Sequence, residues 1–170
     1  WQGHKDNNVP KAVYEKHLVN LIQDLRKEFK TPDLKAVVAT VGFGGMEMPE
    51  GHFMTWEAQM AVGDAKQHPE FAGNVASVDT RGFWRSRGDS PTGTGYHYNH
   101  NAETYVLTGD ALGRAMVALL GGKAEALTLA PAPERDPNVE TIYSAEVTGN
   151  FNKRGPHYGP DYYREMGQAL

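Results

Sequence analysis

The sequence predicts an α/β layered fold, present as its carboxyl-terminal portion, and three observations lead there. A long amphipathic stretch opens the chain, two short apolar runs without alternation follow it, and each run gives way to a polar, glycine-containing loop. The resulting order of helix, strand, helix, strand, helix is that of parallel strands joined by right-handed crossovers. Ligands of such folds gather at the carboxyl ends of the strands. The loops at 42–53 and 81–100 therefore belong on one edge, and residues 1–8 join them if a strand ends just before Trp1.

Residues 1–10 form a loop ending at Pro10, a residue suited to a helix start. From 11 to 29 the apolar positions Val13, Tyr14, Leu18, Leu21, Ile22, Leu25 and Phe29 recur at spacings of mostly three and four, which predicts one apolar helical face. Pro32 and Asp33 stop it. Residues 36–41 (Ala-Val-Val-Ala-Thr-Val) and 75–80 (Val-Ala-Ser-Val-Asp-Thr) are mostly apolar, the pattern of strands covered on both faces. Between them the sequence predicts a helix over 54–67, with Trp56, Met60, Ala61 and Ala65 facing inward and His68-Pro69 ending it. A last helix is expected over 104–120, with Ala111, Leu112, Ala115, Met116, Leu119 and Leu120 on its apolar face and Gly121-Gly122 as its cap. Domain organisation follows: 1–121 is the layered domain and 122–170 a Pro- and Tyr-rich extension, with one strand expected at 141–147.

Composition narrows the function classes. The chain has 170 residues, 39% hydrophobic and 22% charged, as in an ordinary globular protein. A net charge of -4 offers no clustered cations to neutralise phosphate, which argues against nucleic acid and anionic membranes as partners. No apolar run approaches the roughly 20 residues of a membrane span. With no cysteine, disulfides, thiolate catalysis and zinc–thiolate sites are all excluded.

Two polar clusters stand out. One is the decamer 96–105, Tyr-His-Tyr-Asn-His-Asn-Ala-Glu-Thr-Tyr, at the mouth of the last helix; the other is 1–8, Trp-Gln-Gly-His-Lys-Asp-Asn-Asn. The topology brings both to the same edge. In the decamer, His97 is a candidate base, or a histidine satisfying the helix N-terminus, because a neutral imidazole accepts protons near pH 7. Asn99 or Asn101 is a candidate helix cap, with Glu103 near the positive end of the dipole. His97 and His100 lack a third ligand of recognisable spacing, so no metal site is expected. His4 and Asp6 are loop residues within reach of a substrate, and Trp56 and Trp84 are either sugar-stacking or core aromatics.

The segment Trp1-Gln2-Gly3 followed by a helix from Tyr14 to Arg26, the pair Ala58-Gln59, the strand 75–80, and Tyr96-His97-Tyr98 followed by Gly109, Gly113 and Arg114 occur in an order that resembles the sialate O-acetylesterase-like carbohydrate esterases of the SGNH hydrolase superfamily. The resemblance covers residues 1–121. It implies a three-layer α/β/α sandwich with a mostly parallel, flavodoxin-like sheet, N-terminally incomplete here. It also implies a serine nucleophile on a strand upstream of Trp1, His97 as general base, Gln2 as an oxyanion donor, no cofactor, an acetylated carbohydrate substrate and an extracytoplasmic location. The chain departs from the family pattern at Thr94, where an aspartate is expected three residues before the histidine, and at His4, where the family carries glutamate. Asp89 and Glu103 are then the alternative carboxylates to orient His97.

The tripeptide Gly88-Asp89-Ser90 matches the superfamily's nucleophile signature, but Trp84-Arg85-Ser86-Arg87 rather than an apolar strand precedes it, so it is not read as the nucleophile. The functional expectation is hydrolysis of an O-acyl ester through a serine acyl-enzyme. The missing amino-terminal segment of the same protein is the expected partner. The alternative is a non-catalytic carbohydrate-binding or interaction module that kept the fold.

Overall fold

The computed structural model describes residues 1–128; the strand expected at 141–147 and the aromatic tail lie outside them. Trp1–Leu127 form one compact unit. Its elements in order are α1 (Lys11–Glu28), β1 (Ala36–Ala39), α2 (Glu50–Val62), β2 (Val75–Val78) and α3 (Ala102–Leu119), joined by short 3-10 turns. The protein is therefore of mixed α/β class. β1 and β2 are parallel neighbours, with Ala36 opposite Val75 and Ala39 opposite Val78. No helix among the described residues is long and apolar enough to cross a membrane.

The pleat sorts the sheet's side chains into two sets. Ala36, Val38 and Val75 pack with Ile22, Leu18 and Val19 of α1, Val62 of α2 and Phe71. Ser77, on the same face, donates its hydroxyl to the Gln59 carbonyl of α2. Val78 points the other way and lines a groove with Ala111, Arg114 and Ala115 of α3. Full burial of a side chain such as Ile22, Val62 or Phe71 contributes about 1.5–3 kcal/mol each, so this cluster is the main apolar anchor of the sheet. Arg26 reinforces it from α1, capping the Leu34 carbonyl at 3.0 Å and stacking over Phe71.

α2 buries a face other than the one its apolar periodicity predicts. α2 begins and ends earlier than expected and buries His52, Thr55, Ala58, Gln59, Ala61 and Val62; Trp56 and Met60 are only half-buried and Ala65 lies beyond its end. The reason is hydrogen bonding. Thr55 and Gln59 find backbone partners in the 1–6 loop and in the residues following β1, which offsets the cost of burying them. In α1, Tyr14 and Ile22 are buried, whereas Val13, Leu21, Leu25 and Phe29 remain 44%, 54%, 40% and 65% exposed. In α3 the fully buried positions are Thr104, Thr108 and Ala111, and Leu120 is exposed. Each of these two helices thus carries more apolar surface than the described fold covers.

Candidate functional site

The two polar clusters meet at the carboxyl end of the strands. The Trp1 indole N–H donates to the Thr40 carbonyl at 2.8 Å, and the Trp1 ring lies 4.5 Å from Tyr98 and 5.6 Å, edge-on, from Tyr105. The neighbouring carbonyl of Gln2 accepts from Gln59 Nε2 at 2.6 Å. Gly3, at φ 134°, lies where a Cβ would strike the side chains of Thr55 and Val41, so both the backbone angle and the close approach require glycine. The 1–8 loop is thereby seated on α2 and on the residues following β1.

Tyr98 seats the other wall. Its ring stacks on Phe43 at 4.3 Å and its hydroxyl oxygen accepts the Gly42 N–H at 3.2 Å. Burial pushes the Tyr98 phenol well above its ordinary range, with the Gly42 bond opposing. Tyr98, Asn99 and His100 all have left-handed backbone, at φ 49°, 54° and 55°, a conformation that costs roughly 1–2 kcal/mol for a residue with a Cβ and less for asparagine. Surrounding bonds over-determine this turn. Asn99 Nδ2 donates to the Arg85 carbonyl, Thr92 N–H to the Asn99 carbonyl, and Tyr105 hydroxyl to the His97 carbonyl. Strain held in this way is a mark of positions fixed for a task, and here it fixes the backbone of His97.

His97 is half-buried, and its ring makes no hydrogen bond among the described residues. Its ring neighbours are His100 at 5.4 Å and Tyr96 at 4.5 Å. His4 lies 6.1 Å from Tyr96 and feels the charge of His97. Burial first, then the charges of His52, Lys5 and His97, hold His4 below its ordinary value. His100 is also lowered, by burial and then by His97, and its Nδ1 meets the Thr92 hydroxyl at 3.1 Å.

The other expected site residues have settled partners. Gln2 Nε2 donates to Asp6 Oδ2 at 2.5 Å and Gln2 Oε1 accepts from the Tyr14 hydroxyl at 3.0 Å; its second amide hydrogen has no acceptor among the described residues. Glu103 takes Arg85 in a two-pronged pair, at 2.7 and 3.0 Å, and that guanidinium holds its carboxyl below the usual carboxylate range. Asp89 Oδ2 accepts from the Ser86 hydroxyl at 2.6 Å. Neither carboxylate bonds to His97 among the described residues. Ser90 is buried and accepts from Asn101 Nδ2, and Asn101 Oδ1 caps α3 by accepting the Thr104 N–H at 3.1 Å. Trp56 is used internally: its indole donates to Asp79, and Arg81 stacks over its ring at 3.7 Å.

Sequence reasoning overlooked Phe43 and His52. Phe43 is the hub of the site, touching Tyr98, His4, His52 and Trp84. Its only signal was its place in the Gly-Phe-Gly-Gly run after a strand. His52 stacks on His4 at 5.4 Å, is buried, and has both ring nitrogens unpartnered among the described residues, as has His4 Nδ1. No group of three or more His, Asp or Glu side chains among the described residues is placed to hold a metal ion. A groove of about 960 Å³ lies elsewhere, between Val78 and the carboxyl half of α3, away from these histidines. Among the described residues, the arrangement offers an imidazole whose ring makes no hydrogen bond, the Gln2 amide as a donor, and aromatic faces. No protein-family model, curated protein or solved structure matches the chain.

Proposed function

We propose that the chain is the carboxyl-terminal part of a three-layer α/β/α SGNH-type hydrolase that cleaves O-acyl esters, with O-acetylated carbohydrate as its substrate class. The observation that carries this reading is the meeting of Trp1 with Tyr98 and of His4 with Tyr96, the two residues flanking His97, beyond the carboxyl ends of two parallel strands. His97 is the general base, taking the proton of a serine hydroxyl as the oxygen attacks the ester carbonyl and returning it to the departing sugar oxygen. The spare Gln2 amide hydrogen donates to the oxyanion. The serine comes from a segment outside this chain, so residues 1–170 alone are inactive.

The test is p-nitrophenyl acetate hydrolysis by the 170-residue chain and by a polypeptide that also carries the residues encoded upstream of Trp1. Turnover by the longer polypeptide that disappears in His97→Ala is expected. Strong His97-dependent turnover by the short chain would overturn the external nucleophile, and an inactive longer polypeptide would sink the esterase. One observation favours a second reading: Asp89 and Glu103 are both occupied elsewhere and Thr94 replaces the expected aspartate. A carbohydrate-binding module without catalysis would bind glycans unchanged in His97→Ala.

A further inference from the structure

His4 and His52 form the unsatisfied contact of an otherwise well-bonded junction. Four positions on one face of α2 receive the 1–8 loop. Thr55 Oγ1 donates to the Asp6 carbonyl at 3.2 Å, Gln59 Nε2 donates to the Gln2 carbonyl, and Gly51 lies so near the Asn7 carbonyl that a Cβ would strike it. The fourth is His52, whose ring stacks on that of His4 at 5.4 Å, and Phe43 closes the group at 4.8 Å from His4 and 5.1 Å from His52. His52 is 9% exposed, and both its nitrogens, together with Nδ1 of His4, are buried without a hydrogen-bond partner among the described residues. An imidazole always carries at least one N–H, and a donor buried without an acceptor costs stability.

Protonation makes this junction worse, because a charged imidazole has two N–H donors instead of one. Burial acts first on His4, followed by the charges of His52, Lys5 and His97, and all of them disfavour its charged form. The nearby carboxylates do not compensate. Asp6 accepts from Gln2 Nε2, and Glu47 and Glu50, exposed after β1 and at the start of α2, do not act on His4. The decamer adds only Tyr96, whose ring lies 6.1 Å from His4, and His97. His52 sits in the first turn of α2, where the positive end of the helix dipole opposes another positive charge. Once the loop leaves α2, water solvates both rings and these oppositions vanish. His4 is held below its ordinary value while seated and returns toward about 6.5 when released. Seating is therefore at full strength above that pH and weakens as the pH falls below it.

We propose that the His4–His52 pair is an acid-sensitive latch, whose protonation unseats residues 1–8 from α2, withdraws Trp1 from Tyr98 and so opens the site that the two polar clusters form. The latch rests on the packing of loop against helix and not on any ester chemistry. Its test reads hydrogen exchange rather than turnover, so its failure and that of the esterase are separate results. The reporters are the Trp1 indole N–H, which bonds to the Thr40 carbonyl, and the Asp6 amide, which bonds to the Gly3 carbonyl. The amides of Ile22 and Val62, both in the apolar cluster, serve as the reference.

Exchange is measured on the full chain at about pH 7.5 and about pH 5, on either side of the ordinary histidine value, and each rate is referred to the intrinsic rate at that pH. Protection of the two loop reporters is expected to fall roughly tenfold or more between the two conditions, with Ile22 and Val62 unchanged. His52→Phe fills the space with a ring that does not titrate, and His4→Gln breaks the pair from the loop side without touching α2. Each should shrink the fall, and the double variant should reduce it to less than about twofold. Three results would each overturn the latch: loop protection that stays constant into acid, a parallel loss at Ile22 and Val62, and a fall that persists in the double variant. If His97→Ala then abolished that persisting fall, the titration would belong to His97.

Discussion

The Tyr98 hydroxyl oxygen accepts the backbone N–H of Gly42 at 3.2 Å, which ties the strained turn carrying His97 to the loop that follows β1. Tyr98→Phe keeps the ring stacked on Phe43 but leaves the Gly42 N–H buried without an acceptor. That substitution is expected to cost about 1–3 kcal/mol, measured as a lower urea midpoint with an unchanged slope. Tyr98→Ala also empties the space between Phe43 and Trp1, and should cost about 3–5 kcal/mol.

Gln59 is a second junction. It is 1% exposed, accepts the Val41 N–H at 2.7 Å and donates to both the Gln2 carbonyl and the Tyr14 hydroxyl. Gln59→Leu preserves volume but strands these groups, and is expected to lose about 2–4 kcal/mol. Tryptophan fluorescence should report release of Trp1, because the Gln2 carbonyl that anchors the loop loses its donor.

Gly51 gives a steric test of the same loop. A Cβ at Gly51 would run into the Asn7 carbonyl, so Gly51→Ala must push residues 3–8 away from α2. Stability should fall by about 1–3 kcal/mol, and protease cleavage within 1–8 should accelerate, while Gly109→Ala, whose Cβ meets nothing, should leave both unchanged or slightly improved.

His68 gives a pH dependence of known sign. Burial opposes its protonation, but hydrogen bonds to Glu70 and Glu15 outweigh burial and raise it above its ordinary value. The folded value therefore lies above the unfolded one, about 6.5. The stabilisation is complete below that pH and is lost as pH rises through the folded value. Because Glu15 belongs to α1, His68→Gln should lower stability by about 1 kcal/mol near pH 6 and by little at alkaline pH. Denaturation midpoints across that range are the measurement.

His97→Ala should hardly affect stability, within about 0.5 kcal/mol, because the half-buried ring makes no hydrogen bond among the described residues. That silence separates a functional role from a packing role: a stability loss like that of Tyr98→Phe would mark His97 as structural.

The order of helices and strands and a cap at Asn99 or Asn101, of which the structure uses Asn101, were legible in the sequence, because each depends on side chains within a few residues of one another. α1 begins at Lys11 and β1 and β2 begin at Ala36 and Val75, as expected, with both strands shorter than the apolar runs suggested. The meeting of residues 1–8 with the decamer was expected on the condition that a strand ends just before Trp1, since parallel strands send their following loops to one edge. The buried face of α2 was not legible. Its Thr55 and Gln59 carry no local signal of burial, because their partners lie far off in sequence, 18 residues away at Val41 and 57 at Gln2 for Gln59. The aromatic hub at Phe43 and the occupation of Glu103 by Arg85 are likewise contacts between distant segments. Local pattern thus determined which elements form and in what order. Only the tertiary structure decided which polar groups are satisfied, and therefore that the His97 ring makes no hydrogen bond among the described residues while Asp89 and Glu103 are engaged, because a hydrogen bond depends on where its partner sits in space.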